Sequence, residues 1–351
     1  MPIVQCSGAP GRSESRFRFQ CPTGAAGSVG RAVAGGQHVA RNNDCELLPR
    51  PARCRAAKSC DAPSGRSIRR TTVPTSSLRT VALIACLALT ASAYAETRND
   101  CQRQFKPETG QSGKDVVWVP TNDALVGRML RMAAVGPSDV VYDLGAGDGK
   151  IAIAAAKDFG ARSVGVEYNP DMAKLGQCLA KAEGVAGRAT IVQGDIFETD
   201  FSAASVVTLY LLPELNLRLR PTILKMKPGT RVVSHSFLMD DWEPDDRSST
   251  EDGQAYLWIV PANVGGTWTF KRKDGRDRFA VHLEQKFQEI SGAVGDRREP
   301  LTAAKLKGAQ IDLSFAENGG TTTLAGQAKG DRIEARVTRA GKTANYVGTR
   351  T

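Results

Sequence analysis

Val141-Tyr142-Asp143-Leu144-Gly145-Ala146-Gly147-Asp148-Gly149-Lys150 is an apolar run that ends in an acid, turns on three glycines and enters a helix-forming stretch. It has the form of a buried parallel strand followed by a ligand-binding loop. Glycines let the backbone turn tightly and approach a ligand closely, and the helix that follows presents unpaired N–H groups at its start. The dinucleotide spacing G-x-G-x-x-G is not met, because Lys150 stands where its last glycine would fall. Two acids, Asp143 and Asp148, flank or interrupt the turn. They would repel a pyrophosphate and attract a cation.

The loop therefore favours S-adenosyl-L-methionine (SAM), which carries an ammonium and a sulfonium, over NAD. The next strand, Ser163-Val164-Gly165-Val166-Glu167, ends in an acid about 20 residues past the turn, the spacing at which a carboxylate meets ribose hydroxyls. Glu167 is the ribose candidate. A third strand, Ala189-Thr190-Ile191-Val192-Gln193, leads into Gly194-Asp195-Ile196, where Asp195 can accept from an adenine amino group while Ile196 packs on the ring. A fourth strand is expected over residues 204–212, stopped by Pro213, and a fifth at Arg231-Val232-Val233-Ser234-His235. Strands alternating with helical stretches imply a parallel α/β sheet with its ligand over the carboxyl ends of the strands. Each acid alone reads as an exposed loop residue; three at successive strand ends point to one pocket.

With these motifs the stretch from Val117 to Glu243, about a third of the chain, resembles the class I SAM-dependent methyltransferases. Val119-Pro120-Thr121, the glycine segment from Tyr142 through Ile151, and Gly165-Val166-Glu167-Tyr168-Asn169-Pro170 are similar to the ATP-synthase c-subunit lysine methyltransferase family and its bacterial relatives. Val207-Thr208-Leu209-Tyr210-Leu211-Leu212-Pro213-Glu214 and Gly229-Thr230-Arg231-Val232-Val233-Ser234-His235 look like stretches of those bacterial relatives. The resemblance implies a Rossmann-like sheet and methylation of a protein lysine. It places Asp143, Gly145, Gly147 and Gly149 at the methionine moiety, Glu167 at the ribose, and Asp195 and Ile196 at the adenine. It also implies that Thr121 closes over the cofactor; a helix N-cap for the stretch from Asp123 to Leu130 is the other reading of that residue.

A methyl group on a sulfonium is already activated, so the protein chiefly supplies alignment, desolvation and, for an amine, a route for its proton. Candidates near the acceptor are Tyr210, Glu214, Asn216 and His235, all at or beyond the ends of the fourth and fifth strands. Tyr210 and Glu214 are the two placed in the reaction. Glu214 could steady a lysine ammonium before deprotonation; the other readings are a core aromatic for Tyr210, a solvated helix-start acid for Glu214 and a satisfied strand-end residue for His235. The Asn/Asp-Pro-Pro-Tyr/Phe tetrad of many base and glutamine methyltransferases is replaced here by Leu211-Leu212-Pro213-Glu214, which argues against DNA adenine and glutamine as acceptors.

The formal charge of +10 suggests an acidic partner until the chain is divided. Residues 1–80 hold 13 Lys/Arg against 4 Asp/Glu, so almost the whole excess lies there and no nucleic-acid partner is expected. Residues 1–72 lack any apolar period and read as a disordered or mis-annotated extension. Within 73–95, Arg79 precedes an apolar run from Val81 to Ala91, and Ala93-Tyr94-Ala95 supplies a small-x-small cleavage site. That is a signal peptide in an unusual place. It implies export, to a bacterial periplasm, with retention on the cytoplasmic face as the alternative and no stable membrane span after cleavage. Six of the eight cysteines precede Glu96, leaving Cys101 and Cys178. Their spacing suits no metal site; a disulfide is permitted, though Cys178 on a helix over 171–183 reads as a buried residue.

The expected organisation is a methyltransferase domain over 96–243, an acidic linker over 244–253 and a β-rich domain over 254–351. In the last, alternating segments such as Gln310-Ile311-Asp312-Leu313-Ser314-Phe315 are separated by turns such as Asn318-Gly319-Gly320, which reads as an antiparallel β-meander or small barrel. Two competing functions remain: an exported non-catalytic protein using the pocket for an adenosine-like ligand or a partner, and a nicotinamide-dependent dehydrogenase, which Lys150 and the acid-rich loop disfavour. Neither the oligomeric state nor the role of the three tryptophans Trp242, Trp258 and Trp268 follows from the sequence.

Overall fold

Strand β1 (Val140–Leu144) is the pivot of a seven-stranded sheet, with Val141 and Leu144 fully buried, as a central parallel strand covered by helices requires. The computed structural model describes residues 96–275 and 277–351, so the expectations for 1–72 and for the signal peptide at 73–95 lie outside the described residues. Two helices, α1 (Arg98–Phe105) and α2 (Asp123–Met132), precede β1. The chain then alternates through α3 (Lys150–Asp158), β2 (Arg162–Glu167), α4 (Pro170–Ala182), β3 (Ala189–Gln193), β4 (Val206–Leu209), α5 (Pro213–Ile223) and β5 (Arg231–His235). These five strands are parallel in the order β3-β2-β1-β4-β5. The order reverses between β1 and β4, and a crevice opens beyond their carboxyl ends, where α/β sheets bind ligands.

Local chemistry sets the ends of these elements. Asn122, not Thr121, caps α2 by accepting the Ala124 N–H at 2.8 Å, which overturns the capping role for Thr121 and leaves its hydroxyl free for another partner. Asn169 caps α4 by accepting from Asp171 and Met172, with Pro170 at the first position. The fourth strand stops at Leu209 instead of Leu212. Leu209 pairs with Leu144, after which β1 turns away at Gly145, so Tyr210, Leu211 and Leu212 leave the ladder before α5 begins.

The expected acidic linker is partly strand. β6 (Asp246–Thr250) and β7 (Gly253–Ile259) extend the first sheet, β7 running antiparallel to β5 from Arg231↔Ile259 to His235↔Ala255. The expected boundary at 254 therefore falls within the sheet. β7 is buried on both faces: Ala255 and Leu257 pack against Leu125 and Met129 of α2, while Trp258 packs with Trp242 and Met239. Such a strand needs an open sheet edge, and β5 provides it.

The last eight strands, β8 (Gly266–Arg272), β9 (Arg278–Lys286), β10 (Glu289–Val294), β11 (Glu299–Lys307), β12 (Gln310–Glu317), β13 (Gly320–Lys329), β14 (Arg332–Arg339) and β15 (Lys342–Arg350), form a closed antiparallel barrel. Closure comes from β8, which pairs with β9 on one side and β15 on the other. Ile311, Leu313 and Phe315 point inward while Gln310 and Asp312 do not, the alternation of a filled barrel. Trp242, Trp258 and Trp268 are core residues, each fully buried with its indole N–H bonded: Trp242 to Gln288 Oε1, Trp258 to the Trp242 carbonyl and Trp268 to the Val264 carbonyl. Trp242 also stacks on Phe287, joining barrel to sheet.

Cys178 is buried on α4 as expected, and it is bonded to Cys101 of α1, so the permitted disulfide is formed. Arg98 and Lys157 both pair with Glu183 at the end of α4, which fastens the same helix again. Among the described residues no helix is long and apolar enough to cross a membrane.

Candidate functional site

A cavity of about 280 Å³ lies over the carboxyl ends of β1, β2, β3 and β4, close to the lower end of small-molecule sites, roughly 300 Å³. Its floor is the glycine turn. Gly147 has φ +55°, and a Cβ there would run into the Trp118 indole; Gly149 has φ +79°, starts α3, and lies behind the wall against Ile191. Both positions require glycine, for conformation and for space.

Three carboxylates face this turn. Asp143 is 2% exposed and accepts the Thr208 hydroxyl at 2.6 Å. Burial pushes its pKa up to about 7 against that hydrogen bond, and the neighbouring charges of Asp148 and Glu167 push the same way. Asp148 is raised as well, chiefly by burial. Glu167 accepts the Gly147 N–H at 2.7 Å through one oxygen and the Asn169 N–H at 2.8 Å through the other. Two lysines border the cavity and both are engaged: Lys150 with the Thr121 carbonyl at 3.0 Å and Asp123 at 2.8 Å, Lys114 with Asp195. The inner end is therefore anionic and suited to a cationic ligand.

Residues 113–121 form a strap over the cavity, every one of them bordering it. The strap is held as a small hairpin by Gly110 N–H to Trp118 C=O and Trp118 N–H to Gln111 C=O. One end rests on Asp195 and the Tyr168 ring through Lys114, and that bond, with the Phe197 N–H, holds the Asp195 carboxyl below its usual pKa. The other end rests on His235, whose Nδ1 is 3.2 Å from the Thr121 hydroxyl. Sequence reasoning found Thr121 and missed Trp118 and Lys114; the apolar run Val116-Val117-Trp118-Val119-Pro120 was the available signal.

Of the residues singled out from sequence, Thr121, Asp143, Gly145, Gly147, Glu167, Asp195, Ile196 and Tyr210 border one cavity. Tyr210 borders it beside Leu211, Leu212, Leu215 and Phe237, an apolar wall that begins at the glycine turn, where a Cβ on Gly145 would lie 2.9 Å from the Leu211 side chain. Glu214 does not join them. It is exposed in the first turn of α5 and does not border the cavity, because a helix start points its acid to solvent, where the helix dipole favours it. Asn216 is buried and donates toward the Phe237 and Leu238 carbonyls, supporting the loop after β5. His235 stacks behind Tyr210 without reaching the cavity.

An anionic inner end, an apolar shelf at Ile196 and a glycine floor fit SAM. The donors a pyrophosphate would need at the glycine turn are taken by acids, the Gly147 N–H by Glu167 and the Lys150 N–H by Asp148. Residues 143–246 match the family model for the ANTKMT methyltransferase domain. A protein-lysine N-methyltransferase of Saccharolobus islandicus is 48% identical over 153 residues, which cover 41% of this chain and 94% of that protein. The ATP-synthase c-subunit lysine N-methyltransferase of Homo sapiens is 29% identical over 172 residues, 49% of this chain and 70% of that one. A solved RNA methyltransferase from Salinibacter ruber, in complex with S-adenosyl-L-homocysteine, shares 49% identity at a TM-score of 0.41, covering 42% of this chain and 96% of the other. Because it spans nearly the whole Saccharolobus enzyme at close to half identity, the chain belongs to the same family of SAM-dependent protein-lysine N-methyltransferases.

Proposed function

We propose that this protein methylates the ε-amine of a lysine in another protein, and that it works after export from the cytoplasm. The observation that carries the first part is the mixed lining of one cavity: acids at the glycine turn, and an apolar wall of Leu211, Leu212, Leu215 and Phe237 beside Tyr210. When bound, SAM supplies a methyl group already activated on a sulfonium. Asp143 and Asp148 would face its cationic methionine end, Glu167 its ribose and Asp195 with Ile196 its adenine. Glu167 and Asp195 each spend part of their accepting capacity on backbone N–H groups or Lys114, yet an ionised carboxylate offers about four lone-pair sites, so capacity remains.

The remaining task is to present a neutral amine. A free lysine ammonium has a pKa of about 10.4, and removal from water lowers it by disfavouring the charged form. Leu211, Leu212, Leu215 and Phe237 supply that environment, and the Tyr210 ring gives the lysine a flat face to lie on before its proton leaves to solvent. Glu214, exposed and outside the cavity lining, is not needed for this reading, although it stands between Leu212 and Leu215, which border the cavity. The test is to incubate the purified protein with SAM and a bacterial envelope protein extract and to map methyl groups by mass spectrometry. Methylated lysines support the reading. Methyl groups confined to other residues would overturn the acceptor, and absence of any SAM binding in calorimetry would overturn the site.

Export is supported by the apolar run and small-x-small site before Glu96 and by the disulfide between Cys101 and Cys178, since such bonds persist in oxidising compartments. Sequencing the N-terminus of the native protein after cell fractionation tests it. A periplasmic chain starting at Glu96 is expected; a cytoplasmic chain with free thiols would remove the proposal.

A further inference from the structure

His235 ends β5 between two walls of the cavity and belongs to neither. It is 8% exposed. On one side its Nδ1 lies 3.2 Å from the hydroxyl of Thr121, the last residue of the strap and itself buried. On the other its ring stacks on Tyr210, with centroids 3.7 Å apart and planes 28° from parallel. Behind it runs the backbone of Gly253 in β7, where a Cβ would lie 3.4 Å from the Nε2 atom. The nearest charges on that side, Arg128 and Asp252, are paired with each other at 3.0 Å. Burial lowers the pKa of the imidazole, so the ring is neutral near pH 7 and meets Thr121 as a hydrogen-bonding partner and Tyr210 as a flat apolar one.

We propose that His235 is a positioning residue that couples closure of the 113–121 strap over the cofactor to the placement of Tyr210 on the acceptor wall. This rests on the reading of Tyr210 given above. One imidazole plane touches both groups, so a displacement of either is passed to the ring. When the strap is down, Thr121 fixes the rotation of the imidazole, and the imidazole face fixes the Tyr210 ring. When the strap lifts, the buried Nδ1 loses its partner, a cost that keeps the two events together. The strap has a second fastening at the same place, Lys150 to the Thr121 carbonyl, which does not pass through His235. Changes to the Thr121 side chain therefore address the coupling while leaving the backbone tether intact.

The experiment places meta-fluorotyrosine at position 210 of the full chain and follows its fluorine resonance on titration with SAM, alongside calorimetry. It does so in the parent protein and in Thr121→Val, Thr121→Ser and His235→Phe. The parent and Thr121→Ser, which keeps the hydroxyl, are expected to show a moved resonance at saturation. Thr121→Val and His235→Phe, each lacking one side of the same bond, are expected to bind SAM roughly 2- to 10-fold more weakly and, once saturated, to move the resonance far less. Full movement in both variants would overturn the coupling, as would a parent protein that binds SAM with no movement at position 210. A parent protein that binds no SAM would overturn the cofactor site itself, and the calorimetric trace separates that outcome from the others.

Discussion

The Oε2 atom of Glu167 accepts the N–H of Gly147 at 2.7 Å, so the acid that ends the second strand holds the glycine turn that ends the first. Its other oxygen accepts from Asn169, which caps α4. One side chain thus fixes the loop, the helix start and the site proposed for the ribose. Glu167→Ala should leave two N–H groups without partners, destabilising the protein by about 1–3 kcal/mol, and should remove measurable SAM binding. Denaturant unfolding and calorimetry on one preparation check both. A variant as stable as the parent would mean that the bond does not hold the turn.

Asp143 gives a pH dependence with a definite sign. Its folded pKa is raised to about 7, above the unfolded value of about 3.9. Between these values the folded state binds more protons than the unfolded one, so this group's contribution to stability falls as pH rises and is lost as pH passes the folded value. A cationic ligand beside the carboxylate reverses the preference. SAM affinity should therefore rise with pH up to about 7 and then level off, with proton release on binding below that point. Asp148→Asn removes a repelling charge and should move the inflection to lower pH. Calorimetry across pH in buffers of different ionisation enthalpy reads both effects.

The Cys101–Cys178 bond closes a span of 77 residues that contains the strap, β1, α3 and β2. On the chain-entropy model its loss should cost about 4.5 kcal/mol. The expected result is a lower denaturation midpoint for Cys101→Ser/Cys178→Ser, with weaker SAM binding because α1 no longer anchors the chain leading into the strap. Equal midpoints with and without reductant would show that the bond is absent or immaterial.

On the acceptor side, Glu214→Gln should leave turnover within about twofold, because an exposed carboxylate outside the cavity lining steadies an ammonium only weakly; a larger fall would return it to the mechanism. Phe237→Asn, which wets the apolar wall, should shift the rising limb of the kcat profile to higher pH, since a better hydrated lysine holds its proton longer. A pH–rate series distinguishes the two. An unshifted profile would remove desolvation by this wall from the mechanism.

Much of the sheet was legible because each strand carries its own signature. The glycine turn after Leu144, Glu167 and Asp195 at successive strand ends, and the runs at residues 189–193 and 231–235 all declare themselves through local composition, and the five parallel strands follow. β7 did not. Its alternation of Ala255, Leu257 and Ile259 marks a strand but carries no address, and the barrel strands that follow alternate in the same way. Glu214 lies outside the cavity lining for a related reason: nearness in sequence to Tyr210 says nothing of direction, and the first turn of α5 carries it outward.

The sequence by itself determined the cofactor loop, the acids above the parallel strands and the presence of a second, antiparallel region. The tertiary structure alone decided that β6 and β7 complete the first sheet, that the barrel closes through β8, that Cys101 meets Cys178, and that the strap ends on His235. The division has a physical cause. Backbone geometry and burial within an element depend on neighbours a few residues away, which a sequence displays directly. Which edge a strand joins, and which side chain a buried polar group meets, depend on partners tens to more than a hundred residues distant, and only the folded chain brings them together.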